Sequence, residues 1–367
     1  MFSGSRFAYI ALFIDAIMLF GFAGVAMSIP TASPLSIKKQ ESFDTELKGA
    51  LALLEKRQYD KAEKAFKHLL QTHNKLNDIT AADIYNFIGV TQHAQKKESQ
   101  AEEYFQKALS CLPPIDSSHK KMRAKVFANL SGVYFSERKY SRAEDSCLNA
   151  IKLFRQTNNS EKELAVILGS YGRLKIELKD FKAAETLIRQ SINLREKTAG
   201  TTSMELISAL VNLSNVLLEE GIHDQALAAC KRAISICEKN DGVDSKMLFP
   251  LLINLATVQL ESSDAQAATE SYQRALLVAE NFYSPNSEEA LTALLGISET
   301  AQKSNRGQLA LKSLKRALEI CRLTFGNDDE RTLQATEALA DLEQLNGNIA
   351  EAQRLRILSR LSKKSQQ

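Results

Sequence analysis

The sequence predicts an all-α solenoid of about eight helix-turn-helix repeats, preceded by a hydrophobic helix at the N-terminus. Three observations predict it. Ala62, Ala101, Ala143, Ala184, Ala226, Ala268, Ala310 and Ala352 follow one another at steps of 39, 42, 41, 42, 42, 42 and 42 residues. Twelve residues before each stands Ala50, Gly89, Ser131, Gly172, Ser214, Ala256, Ser298 or Ala340; seven after each stands Leu69, Ala108, Ala150, Ser191, Ala233, Ala275, Ala317 or Ser359. Self-similarity at 20–50 residues marks a chain of stacked repeats. No strand-type alternation interrupts the pattern, and the few glycines and prolines cluster at expected turns.

The N-terminal element is apolar from Phe7 to Met27 except at Asp15, with Arg6 as a short positive flank. The run Ala16–Met27 has the length of a signal-peptide core, and Gly24-Val25-Ala26 offers small residues for cleavage. Taken whole, Phe7–Ile29 is also long enough for a tilted span of about 30 Å. Residues 1–29 are therefore expected to be either a cleaved signal peptide or a retained membrane anchor. Residues 30–42, opened by Pro30 and Pro34, are expected as a polar linker, 43–362 as the solenoid and 363–367 as a tail. Lys38 and Lys39 put positive charge on the second flank too, so orientation is left open.

The unit is clearest around repeat five. Leu210–Leu218 is an amphipathic helix with apolar residues three and four apart. Gly221 is expected to close it in the left-handed conformation, and Asp224 to cap a second helix running to about Glu238. Lys239–Asp244 then breaks the pattern. Small residues recur where the two helices, A and B, approach too closely for larger side chains.

This arrangement of small residues over 43–362 resembles the tetratricopeptide repeat, and the 42-residue unit is similar to the variant of kinesin light chains. The endings Arg232–Lys239 and Arg316–Arg322 look like that variant's helix B. An aromatic is common in the family four residues after the first helix-B alanine; Phe66, Phe105 and Tyr272 comply, whereas Cys147, Ile188, Cys230, Leu314 and Arg356 depart. The resemblance implies a right-handed solenoid that binds protein partners rather than an enzyme.

Composition excludes several classes. With 47 basic and 44 acidic residues the net charge is only +3, which makes no case for nucleic acid. The cysteines sit two repeats apart or at opposite helix ends, too far for disulfides; all five are expected as buried core residues. The histidines show no metal spacing, and no phosphate loop, zinc motif or nucleophile elbow occurs. No catalytic residue, metal or cofactor is expected.

The resemblance implies that helix-A residues two before and one after the small position face a concave groove. In repeats three to six these include Asn129, Ser170, Arg173, Asn212, Asn215, Asn254 and Thr257. An asparagine amide offers donor and acceptor to an extended peptide backbone, although the asparagines could equally bond one another. Glu177, Glu219 and Glu261 add an acidic row five residues after the small position, favouring a basic peptide. Two functions remain open: an exported or membrane-tethered scaffold for a partner protein or extended peptide, or a cytosolic adaptor of an enzyme or motor with its N-terminus docked.

Overall fold

The computed structural model describes residues 34–73, 76–113, 119–243 and 245–364, and every regular element among them is helical. The expected signal or anchor, Phe7–Ile29, lies outside the described residues. Among the described residues no helix is long and apolar enough to cross a membrane.

The helices fall into two compact units that divide between Gly200 and Thr201, a boundary the sequence period does not mark. In the first, α1 (Pro34–Glu55) pairs with α2 (Tyr59–Thr72), α3 (Asp78–Ala94) with α4 (Glu98–Ser110), α5 (Lys120–Ser136) with α6 (Tyr140–Arg155), and α7 (Glu161–Glu177) with α8 (Phe181–Ala199). In the second, α9 (Leu206–Glu219) pairs with α10 (His223–Asp241), α11 (Leu248–Glu261) with α12 (Ala265–Phe282), α13 (Glu288–Lys303) with α14 (Gly307–Phe325), and α15 (Glu330–Leu345) with α16 (Ile349–Lys364). The expected linker is thus helical from Pro34 onward; proline suits a helix start because its missing N–H would have no partner there.

The small positions define the core. Each periodic helix-B alanine, from Ala62 to Ala352, is at most 1% exposed. A Cβ on Gly89 would lie 2.6 Å from the Phe105 ring, and one on Gly172 would lie 2.6 Å from Ile188 Cγ1. The side chain four after the alanine therefore fills the crossing of its own helix pair. At two of the three crossings where helix A carries serine, helix B answers with cysteine: Ser131 faces Cys147 and Ser214 faces Cys230, whereas Ser298 is matched by Leu314. This accounts for two of the departures from the aromatic pattern. Burial pushes both thiols up to about 11, so they stay protonated. Cys237 and Cys321 are also buried, but Cys111 is only half-buried, contrary to expectation, at the C-terminal end of α4.

All eight A–B turns are three residues long and close alike. The middle residue has positive φ, at Arg57, Lys96, Arg138, Lys179, Gly221, Ser263, Asn305 and Gly347. The next residue's N–H reaches back five residues, as in Lys97 to Gln92 (3.0 Å), Lys139 to Tyr134 (2.8 Å) and Ile222 to Leu217 (2.7 Å). This satisfies carbonyls that a helix end leaves unpaired. Asp224 is not the expected cap: α10 starts at His223, and its N-cap Ile222 makes no side-chain bond. Asp224 sits in the first turn, where a negative charge suits the helix dipole.

Candidate functional site

The A helices of repeats two to four touch one another directly, as do those of repeats five to seven, so each unit carries a layer of three adjoining A helices. In the first unit Asn129 Nδ2 donates to Asn86 Oδ1 at 2.8 Å, joining α5 to α3. Nearer the helix C-termini a Cβ on Gly132 would lie 3.6 Å from His93 Nε2, and the Arg173 guanidinium stacks over Phe135 at 4.4 Å. His93 in turn holds Glu98 at 2.5 Å. Ser170 is half-buried on α7, and Glu177 is exposed at its end.

In the second unit Asn212 and Asn215 are half-buried on α9. Asn254 is not available to a ligand: it is 2% exposed, and its amide donates to Ser214 Oγ at 2.7 Å and Cys230 Sγ at 3.4 Å. The Ser–Cys crossing of the preceding repeat supplies polar atoms where others are filled with carbon, and Asn254 is drawn in. Thr257 is half-buried and donates to its own helix at Ile253 O, 3.0 Å away. Glu219 and Glu261 are exposed at helix ends. The expected ladder is therefore reduced: Asn129 is paired with Asn86 and Asn254 is interior, while Ser170, Arg173, Asn212, Asn215 and the three glutamates reach the surface.

Sequence reasoning missed Asp83, Asn86 and Lys125. Burial pushes the Asp83 carboxyl up to about 6, and Lys125 on the neighbouring A helix pulls the other way. Asp83 and Lys125 each lie six residues before the small helix-A position, and Asn86 lies three before. One helical turn more on either side of the small position would have found them. Among the described residues no group of three or more His, Cys, Asp or Glu is placed to hold a metal ion.

Family models match along most of the chain. The model described as the MalT-like TPR region covers residues 84–295, more than half of the sequence, and tetratricopeptide-repeat models cover 47–115 and 289–355. The chain belongs to the tetratricopeptide-repeat proteins. Its fold is similar to the "kinesin light chain nearly identical TPR-like repeats" of Podosopora anserina, with TM-score 0.51 and 17% identity over 56% of this chain and 98% of that one. It is likewise similar to BtubC (BKLC) of P. vanneervenii, with TM-score 0.52 and 19% identity over 67% of this chain and 94% of that one. A third similar structure is a Rap protein complexed with competence and sporulation factor, with TM-score 0.51 and 13% identity over 89% and 98% of the two chains. No curated protein matches the sequence. The repeats of this tetratricopeptide-repeat protein are thus similar in fold to kinesin-light-chain-like repeats, and the fold is one suited to protein–protein interaction.

Proposed function

We propose that this chain is a non-enzymatic scaffold in which each unit binds partner polypeptide against its own A-helix layer. The observation that carries this reading is the polar lining of each layer. The first unit presents Ser170, Arg173, Asp83 and Lys125, with Glu177 at a helix end; the second presents Asn212 and Asn215, with Glu219 and Glu261 at helix ends. An extended segment meets amide donors and acceptors there, and exposed carboxylates favour lysine or arginine in it. Asp83 adds a carboxylate held in a costly environment, a feature that clusters at functional positions. The Rap structure with its bound factor supports the same use of the fold. The apolar run Phe7–Ile29 supports export or membrane tethering of the scaffold, on sequence alone.

Site-specific photo-crosslinking in the native host tests the reading. A crosslinker at Ser170 or Asn212 should trap one partner that a crosslinker at Arg232, on a helix B, does not. Equal capture from Arg232 would place the partner elsewhere.

A further inference from the structure

The A–B turns of the two units differ in charge at one backbone position. In the first unit the turns read Lys56-Arg57-Gln58, Gln95-Lys96-Lys97, Glu137-Arg138-Lys139 and Leu178-Lys179-Asp180, seven bases against two acids. In the second they read Glu220-Gly221-Ile222, Ser262-Ser263-Asp264, Ser304-Asn305-Arg306 and Asn346-Gly347-Asn348, one base against two acids. The middle residue is left-handed in all eight, with φ of 56°, 60°, 57° and 58° at Arg57, Lys96, Arg138 and Lys179. That conformation favours glycine or asparagine and disfavours residues with a longer side chain. The second unit follows the preference at three of its four turns; the first places an exposed cation there every time. Helix capping does not explain the choice, because the equivalent turns of the second unit close with the same backbone bonds around Gly221 and Ser263.

A second observation lies on the same edge. A cavity of about 370 Å³ opens between the first two turns, lined by Arg57, Gln58, Tyr59, Asp60, Lys61 and Gln95. The Gln95 Nε2 amide is buried and makes no hydrogen bond among the described residues. Two cations and an unsatisfied donor face this space against the single carboxylate of Asp60.

We propose that the A–B turn edge of residues 34–200 is a second docking surface, which takes an extended acidic protein segment and seats one of its carboxylates in the Arg57–Lys61–Gln95 cavity. The spacing selects this occupant. The A helices of repeats two to four touch, so their ends recur at the roughly 8–10 Å of packed helices. A polyproline II chain has three residues per turn and advances about 3.1 Å per residue, so acidic side chains at every third position share one face, recur about every 9 Å and meet one turn cation per repeat. Nucleic acid, with a phosphate charge about every 1.7 Å, is far denser than this array. A membrane needs no such register and gains from several inserted apolar side chains, and Leu178 is the exposed large apolar residue of these four turns.

The test uses the full-length chain and a fluorescent (Glu-Ser-Ser)4 peptide, with a control of the same composition whose four glutamates are contiguous. The variant is Arg57→Gly/Lys96→Gly/Arg138→Gly/Lys179→Gly, which removes the charges while giving the turns the residue their backbone prefers. Expected are at least tenfold weaker binding of the spaced peptide by the variant, a Tm equal to or above wild type, and several-fold weaker binding of the contiguous control. Three results would overturn the proposal: equal peptide binding by the variant, a lowered Tm that makes the cations structural caps, or no peptide binding by wild type. Vesicles of phosphatidylglycerol and phosphatidylcholine form the last arm. Binding to them that the variant loses, without peptide binding, would assign the edge to lipid and overturn the proposal as stated.

Discussion

Residues 34–200 and 201–364 each repeat one helix pair four times, but they fill and join the pairs differently. The first unit places glycine against a bulky partner at two crossings, Gly89 with Phe105 and Gly172 with Ile188. The second has no glycine at that position: it uses Ser214 with Cys230, the pairing that Ser131 and Cys147 make once in the first unit, then Ala256, Ser298 and Ala340. Two junctions of the first unit are clasped by a helix-B carboxylate that takes a tyrosine of the next helix A together with a cation, which comes from the next helix B at Glu102 and from the next helix A at Glu144. Glu102 accepts from Tyr134 (2.9 Å) and Arg142 (2.7 Å), and Glu144 accepts from Tyr171 (2.6 Å) and Lys175 (2.7 Å). The ion pairs of the second unit join B helix to B helix, by Arg274 with Glu238 and by Arg316 with Glu280 at 2.5 Å, and B helix to the next A helix, by Lys315 with Glu343 at 2.6 Å. One repeat geometry thus tolerates two ways of filling its crossing and two ways of tying neighbours. What is fixed is volume and satisfied charge, not residue identity.

Exchanging the crossing pairs between units would break that comparison most severely. Gly89→Ser adds a Cβ within 2.6–2.9 Å of three Phe105 ring atoms, which should cost about 1–3 kcal/mol by overpacking. Phe105→Cys alone should cost about 3 kcal/mol or more by leaving a cavity. The double variant imports the Ser–Cys pair whole, so it should be more stable than the sum of the two losses predicts, by about 0.5–3 kcal/mol. Denaturant melts of the four proteins measure this; strict additivity would show that the pair is not the unit of packing.

The charges of the first unit sharpen the comparison through pH, because two of its carboxylates respond with opposite sign. Hydrogen bonds from Lys175 and Tyr171 hold Glu144 below its usual range. Its contribution is present above about pH 4.5 and lost as pH falls through the lower folded value. Glu144→Gln should therefore cost about 0.5–1 kcal/mol at pH 7.5, solvent screening being appreciable at this partly exposed clasp, and less as pH falls toward 3. Asp83 runs the other way, since burial raises it to about 6. Its folded state is favoured below the unfolded value near 4 and weakened as pH rises through about 6. Asp83→Asn should stabilise by about 1–2 kcal/mol at pH 7.5 and be neutral near pH 3. Thermal melts at the two pH values decide; a destabilising Asp83→Asn at pH 7.5 would mean that the carboxylate has a stabilising partner.

The crossings were legible in the sequence because close approach admits only small side chains, and a 42-residue period makes that demand visible eight times. The surface was less legible. Asn212 and Asn254 hold the same repeat position, but Asn254 is interior because Ser214 and Cys230 offer it polar partners. A period fixes which way a side chain leaves the helix, not how deep its neighbours leave it. Asn129 was captured by Asn86 in the same manner, through a position outside the two rows considered. The turns were legible at Gly221, where glycine announces a left-handed residue. At Arg57, Lys96, Arg138 and Lys179 the same backbone is carried by residues that announce nothing of the kind. The boundary at Gly200 has no signal in the period, since the step from Ala184 to Ala226 is an ordinary 42.

The smallest effect separates the two units at a single turn position. Lys179 (φ 58°) and Gly221 (φ 73°) occupy the same place in consecutive repeats. An L residue in this region is disfavoured by about 1–2 kcal/mol relative to glycine. Glycine in turn loses more chain entropy on folding, by about 0.5–1 kcal/mol. Lys179→Gly should therefore stabilise by a few tenths of a kcal/mol up to about 1, and Gly221→Ala should destabilise by a similar amount. The two changes should be opposite in sign although both turns close with the same bond, Asp180 N–H to Lys175 O at 2.9 Å and Ile222 N–H to Leu217 O at 2.7 Å. Chemical denaturation of both single variants beside wild type measures it. If Lys179→Gly lowered stability, its side chain would be contributing more to the folded state than its backbone strain removes, and the cation would belong to the turn itself rather than to anything that binds there.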